Sequence, residues 1–241
     1  MVFMLCGAIS LLITTVLTTG QSHTAAGNGS IAKCIRKFFH QTSSPAPTAT
    51  SSSSPSSYHA FTTRESALLH RYLNHSIRYF EYGTMATKIA CHIAERSLYN
   101  LSVHAVDTNV TSLKAIEGSH CVRRLRLYNR MHIKHISVDD KSSSLKGISY
   151  VEYILSTHDL IFDLVFISAE KYRLPSTLQA LLIHPYNKIV IVRGLEKERY
   201  PKLLEYVDVL ECVDSLVVLR RKKGMTTKEL EEMELARTNL L

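Results

Sequence analysis

The sequence predicts an α/β fold: a Rossmann-like three-layer α/β/α sandwich around a mostly parallel seven-stranded sheet, closed by an antiparallel C-terminal hairpin strand. Three observations predict it. Short β-rich runs alternate with single helical stretches from Ile77 onward, which asks for crossovers and a sheet covered on both faces. One apolar run closes on Glu81-Tyr82-Gly83 and the next closes on an acid, Asp107, as the first βαβ unit of such a sheet does. Near the C-terminus two β-rich runs follow each other with only Val213-Asp214-Ser215 between them, so a hairpin replaces the last crossover.

The elements follow in order. Thr62-Thr63-Arg64-Glu65 forms a capping box, with Thr62 as N-cap and Glu65 three residues on, and starts a helix through Leu68, Leu69 and Tyr72. Strands are expected at 77–81, 101–107, 133–138, 162–167 and 188–192. Helices are expected at 87–96, at 111–117 extending to Leu125, and at 150–155, 176–182 and 200–206. The runs 207–212 and 216–220 make the hairpin, and 226–241 reads as a charged amphipathic helix, either a solvated tail or a helix for a partner.

Four segments divide the chain: 1–20, 21–57, 58–224 and 225–241. The first holds an uncharged apolar run, 2–16, whose length lies between a secretory signal core and a full span of about 20 residues. A signal peptide and a membrane anchor therefore both remain open. A single-pass anchor is preferred because no basic stretch precedes the run, while Lys33, Arg36 and Lys37 follow it. The membrane is thus the expected partner of the N-terminal segment, and the membrane or secretory pathway the expected location. Positions 42–57 are Ser, Thr, Pro and Ala with almost no bulk, which describes a disordered stalk or linker. Sequons at Asn28, Asn74, Asn100 and Asn109 are glycan acceptors if the domain is lumenal, with Asn109 falling beside the expected cofactor cleft.

A net charge of +8 from 29 basic and 21 acidic residues speaks to association rather than fold. The clusters Arg123-Arg124-Arg126 with Arg130, and Arg220-Arg221-Lys222-Lys223, read as solvated faces. No aromatic ladder accompanies them, so a nucleic-acid partner is not expected. The five cysteines show neither C-x-x-C spacing nor the density of a disulfide scaffold, and His104, His132, His135 and Cys91 lack ligand spacing, so no metal is expected.

Residues 62–223 resemble the class I S-adenosylmethionine-dependent methyltransferases. The opening Glu81-Tyr82-Gly83-Thr84-Met85-Ala86-Thr87-Lys88 is similar to an E-Y-G-S-G-G-S-T opening in a group of small methyltransferase-like proteins. Their ending is matched by a tyrosine-containing segment, 200–206, followed by Val213-Asp214-Ser215-Leu216-Val217-Val218-Leu219-Arg220. The resemblance implies S-adenosylmethionine as cofactor: Glu81, Gly83 and Thr84 beside its methionine portion, Asp107 on the ribose hydroxyls, and Asp139 at the adenine amino group. Asp163 stands where such domains have an F-D-L-V strand; the preferred reading is the plainer one, an acid that ends a turn.

The chain departs from that pattern in three places. Met85 and Ala86 replace glycines, Ser168-Ala169-Glu170 replaces D-G-R, and Arg193-Gly194 replaces an apolar-His-Asp pattern. The last exchange puts a cation where a sulfonium favours carboxylates. Glu170 and His184 remain as candidate general bases. The departures leave two main readings. One is a methyltransferase with a degenerate cofactor site and an unassigned acceptor. The other is an inactive member of the fold that acts as a binding or scaffold module. A basic module contacting anionic lipid or nucleic acid through the Arg123 cluster is a third.

Overall fold

In the computed structural model of the chain, the residues described are 31–36, 60–96, 100–137, 143–157, 161–195, 200 and 202–241. The apolar segment, the Ser/Thr/Pro stretch, Asn28 and Asp139 lie outside them. No helix among the described residues is long and apolar enough to cross a membrane.

A helical stretch at 31–36 (α1) comes first. Then follow α2 (Thr63–Leu73), β1 (Arg78–Tyr82), α3 (Thr87–Arg96), β2 (Ser102–Asp107), α4 (Val110–Glu117), α5 (His120–Leu127) and β3 (Met131–His135). After α6 (Ser143–Val151), a 3-10 turn (Glu152–Thr157) leads on to β4 (Leu164–Ile167), α7 (Arg173–Ile183), β5 (Ile189–Arg193), α8 (Leu203–Tyr206), β6 (Val207–Val213), β7 (Leu216–Arg221) and α9 (Thr227–Thr238). The sheet runs β3-β2-β1-β4-β5-β7-β6. Its first five strands pair in parallel, while β7 enters antiparallel between β5 and β6.

Alternation along the strands divides the core. Phe80, Tyr82, Val165, Ile167, Val190 and Val192 pack with Leu174, Leu178 and Met233, under α7 and α9. Tyr79, Val103, Leu164, Phe166 and Ile191 pack with Leu68, Leu69, Ala90 and Leu125, under α2, α3 and α5. Both faces of the central strands are therefore apolar, as a parallel sheet requires. The capping box is present at Thr62 and Glu65, and Glu65 also accepts from the Ser215 N–H at 3.0 Å and its Oγ at 2.5 Å, joining α2 to the hairpin turn.

Three expectations change. The helix expected to run from 111 to Leu125 is two helices, because Gly118 ends α4 and the Ser119 side chain caps α5 by accepting from the Val122 N–H. Helix α6 begins well before Tyr150 and tightens to 3-10 geometry after Val151. Helix α9 is no solvated tail: it packs on α7, with Met233 buried and Arg237 held between Glu152 (3.3 Å) and Glu234 (2.6 Å).

The cysteines are the largest difference, because four of the five pair. Cys91 of α3 bonds Cys121 of α5, and Cys34 of α1 bonds Cys212 of β6. Sequence spacing hides both, since residues 30 and 178 positions apart meet only once the helices pack and the edge strand is placed. The second bond fastens the segment before the Ser/Thr/Pro stretch to the edge of the sheet, where an otherwise unpaired strand would be open to pairing with another chain.

Candidate functional site

The chain leaves β1 outward to β2 and β3, then returns to β4 on the other side of β1. That reversal opens a crevice beyond the carboxyl ends of β1 and β4, where sheets of this type bind ligands. Gly83 forms its floor. Its φ of +99° is one that side-chain-bearing residues rarely adopt, and a Cβ there would collide with Ser168 Oγ. The Gly83 N–H donates to Val106 O at 2.7 Å, and Ser168 donates to Tyr82 O through both its N–H (2.9 Å) and its Oγ (3.2 Å). The turn is thus clamped between β2 and β4.

Asp107 ends β2 beside it. Thr84 Oγ1 donates to Asp107 Oδ2 at 2.6 Å, and the Asn109 N–H donates to Oδ1 at 2.8 Å. Asn109 Oδ1 in turn caps α4, accepting from the N–H groups of Thr111 and Ser112. Gly83, Thr84 and Asp107 therefore come together at the ends of β1 and β2.

Glu81 is placed differently. Its side chain is fully buried beneath the turn, where Oε1 accepts from the Ala86 N–H (2.8 Å) and Oε2 from Thr87 Oγ1 (2.8 Å) and Tyr79 Oη (3.0 Å). Burial pushes its carboxyl up to about 8, against the pull of those three donors. Glu81 shapes the turn and starts α3. It does so from below.

The two missing glycines have a local explanation. Ala86 is buried in the core under α3, and Met85 packs against the same core, its sulfur accepting from Arg193 Nη1. Both side chains turn toward the α2 and α3 face, and neither residue takes a positive φ. Only Gly83 needs the freedom of glycine here.

Sequence reasoning missed a group of tyrosines. Tyr150 of α6 is fully buried, with ring centroids 5.6 Å from both Tyr82 and Tyr172. Burial raises its hydroxyl well above the ordinary range, and the nearby carboxylates of Asp107 and Glu81 add to the shift. Gly147 leaves room for Tyr172 beside it: a Cβ there would meet the Tyr172 ring at 2.9 Å. No local pattern marks this group, because only the packing of α6 brings Tyr150 against Tyr82 and Tyr172.

The β4 and β5 side has a different character. Ser168 stands on the floor, Glu170 is exposed, and the Arg173 side chain is buried against Gly194 O at 3.1 Å. Arg193 donates to Ser215 Oγ at 3.2 Å, and its guanidinium lies 5.0 Å from the Phe61 ring centroid. His184 is not at the crevice. It caps the far end of α7, buried between Ala180 O (2.8 Å) and the Phe162 N–H (3.3 Å), where burial lowers it to about 4, and that position removes it as a candidate base for the crevice.

Asp163 also lies at the opposite ends of the strands, accepting from the N–H groups of Ile77 and Arg78 and pairing with Lys188 at 2.6 Å. Burial opposes its charge, but Lys188 and the two N–H groups hold the carboxyl below its usual range. It secures the entries of β1 and β4.

The basic clusters are largely engaged within the domain. Arg126 pairs with Glu117 (2.6 Å) and Arg124 with Glu95 (3.9 Å), while Arg130 donates to Ala94 O and Leu101 O. Arg220 pairs with Asp208 (3.1 Å), and Arg221 donates to Leu181 O and Leu182 O. Among the described residues His92, Glu95 and Cys121 have ligand atoms within 4.8 Å of one another, but the Cys121 sulfur is already bonded to Cys91 and is no thiolate ligand.

No family model matches the chain, and no curated protein matches it in sequence. Solved structures do match. A methyltransferase-like protein from Silicibacter pomeroyi superposes with a TM-score of 0.54 at 13% identity, over 75% of this chain and 96% of that one. Cofactor-bound Rv0187 from MTB gives 0.52 at 12% identity, over 70% and 84% of the two chains. An O-methyltransferase from Bacillus cereus in complex with SAH gives 0.51 at 14% identity, over 69% and 84%. With its strand order and its antiparallel β7, the chain has the class I methyltransferase fold.

Proposed function

We propose that this protein binds S-adenosylmethionine in the β1–β4 crevice and serves as a methyltransferase-like protein of the secretory pathway, tethered to the membrane there by its N-terminal segment. The observation that carries the cofactor reading is the pairing of Gly83 with Asp107. The turn brings backbone close where a side chain would block it, and Asp107 is half-exposed beside it. Thr84 and Asn109 take one bond on each Asp107 oxygen, and an ionised carboxylate accepts about four, so two remain for a ribose diol. The residues present fit the cofactor. S-adenosylmethionine, when bound, supplies an electrophilic methyl group on a sulfonium. Gly83, Thr84 and Asp107 would hold it, with Glu81 supporting the turn from below; the resemblance assigns the adenine amino group to Asp139, which lies outside the described residues.

The compartment reading is supported by the two disulfides, since such bonds persist where thiols are not kept reduced. A second reading, a noncatalytic binding module on the same scaffold, is favoured by the β4 and β5 ends, where Ser168 stands in place of the acid of D-G-R and Arg193-Gly194 in place of a His-Asp pair. Titration calorimetry of S-adenosylmethionine and S-adenosylhomocysteine into the full chain in detergent, with Asp107→Asn as control, tests the cofactor reading. Micromolar binding weakened in the variant supports it. Absence of binding to folded protein overturns it in favour of the module.

A further inference from the structure

The described sequons fall at opposite ends of the sheet. Asn74 lies between α2 and β1, and Asn100 between α3 and β2, so both sit where parallel strands enter the sheet. The pairing of Arg78 with Ser102, together with the Ser102 N–H bond to Ile77 O at 2.8 Å, makes the two loops neighbours. Both asparagines are exposed, and Asn100 takes the left-handed φ of 51° that asparagine tolerates. Asn109, in contrast, sits at the crevice end, its N–H on Asp107.

The same entry edge carries exposed apolar side chains. Ile77 is 56% exposed, Leu127 85%, Tyr128 65%, Ile161 52% and Tyr186 46%, each in a segment leading into a parallel strand. Apolar side chains gathered at one end of a sheet gain from a hydrated cover. Two neighbouring acceptor asparagines supply the attachment points.

We propose that Asn74 and Asn100 carry N-linked glycans that shield the entry edge, while Asn109 stays bare. This inference rests on the secretory reading above, and its Asn109 limb on the cofactor reading. In the transfer, the asparagine Nδ2 forms a bond to C1 of an oligosaccharide carried on a polyprenyl diphosphate. The bond from C1 to the diphosphate oxygen breaks, the diphosphate leaves with the electron pair, and Nδ2 gives up one proton to the transferase base. Oδ1 keeps its acceptor role.

The full chain, expressed in cultured animal cells, is digested with peptide-N-glycosidase in heavy-oxygen water and mapped by mass spectrometry, while a maleimide counts free thiols before reduction. The expected result is heavy Asp at positions 74 and 100, unmodified Asn109, and protected Cys34, Cys91, Cys121 and Cys212. Asn74→Gln and Asn100→Gln each remove one glycan, seen as a step in gel mobility, and together they lower the yield of soluble protein. Protected thiols without glycans overturn the proposal and leave the compartment reading standing. Reactive thiols without glycans overturn both. A glycan on Asn109 overturns the one-edge arrangement.

Discussion

The two halves of the crevice have diverged. At the β1 and β2 ends, every polar group named above is part of one support: Glu81 below the turn, Gly83 in its left-handed conformation, Thr84 bonded to Asp107. At the β4 and β5 ends, the polar groups serve the fold. Ser168 props the turn, Arg173 binds a backbone oxygen, and Arg193 joins Phe61, Met85 and Ser215. The contrast teaches that a built turn and a set of reactive groups are separable: the first needs one glycine and supporting bonds, the second needs polar groups left free of the fold.

The comparison breaks most sharply at Gly83. Gly83→Ala forces a side chain into a left-handed conformation and onto Ser168, at a cost of about 4 kcal/mol in urea unfolding. Adding Ser168→Ala should return about 1 kcal/mol of it, and a full return would show that strain plays no part. Next is Glu81, which stays neutral in the folded protein up to about pH 8 but ionises near 4.5 when unfolded. The folded state binds the proton more tightly, so this contribution is complete below the unfolded value and is lost as pH rises toward 8. The stability gap between the native protein and Glu81→Gln therefore narrows by roughly 3 kcal/mol between about pH 5 and about pH 8; a constant gap would mean Glu81 is ionised throughout.

Smaller effects sharpen the contrast. Asp107→Asn weakens S-adenosylhomocysteine about tenfold, equivalent to ~1.4 kcal/mol, while the far-UV spectrum is unchanged. Unaltered affinity would remove Asp107 from the site. Arg193→Ala, at the other half, lowers stability by about 1 kcal/mol through its lost bonds and its stacking on Phe61. Its affinity for the cofactor product stays within about twofold in the same titration, and a larger change would show that the β5 end also touches the ligand.

Much of this was legible from local pattern. The Thr62 capping box, the strand ending in Glu81-Tyr82-Gly83 and the closing hairpin each follow from side-chain chemistry within a few residues. The split of α4 from α5 was within reach too, since Gly118-Ser119 carries an end signal followed by a start signal. The directions of Met85 and Ala86 were not. Sequence shows a lost glycine but not which face the new side chain turns to, and that is decided by where α2 and β5 leave room.

By itself the sequence determined the alternation of strands and helices, the strand that closes on Glu81-Tyr82-Gly83 and the acid that closes β2, because each depends on periodicity or on chemistry within a few residues. Tertiary structure alone decided that Glu81 lies beneath the turn, that His184 and Asp163 sit at the far end of the sheet, and that Cys34 meets Cys212. Those facts depend on contacts between residues distant in the chain, and no local pattern records which of two faces or two ends a side chain reaches.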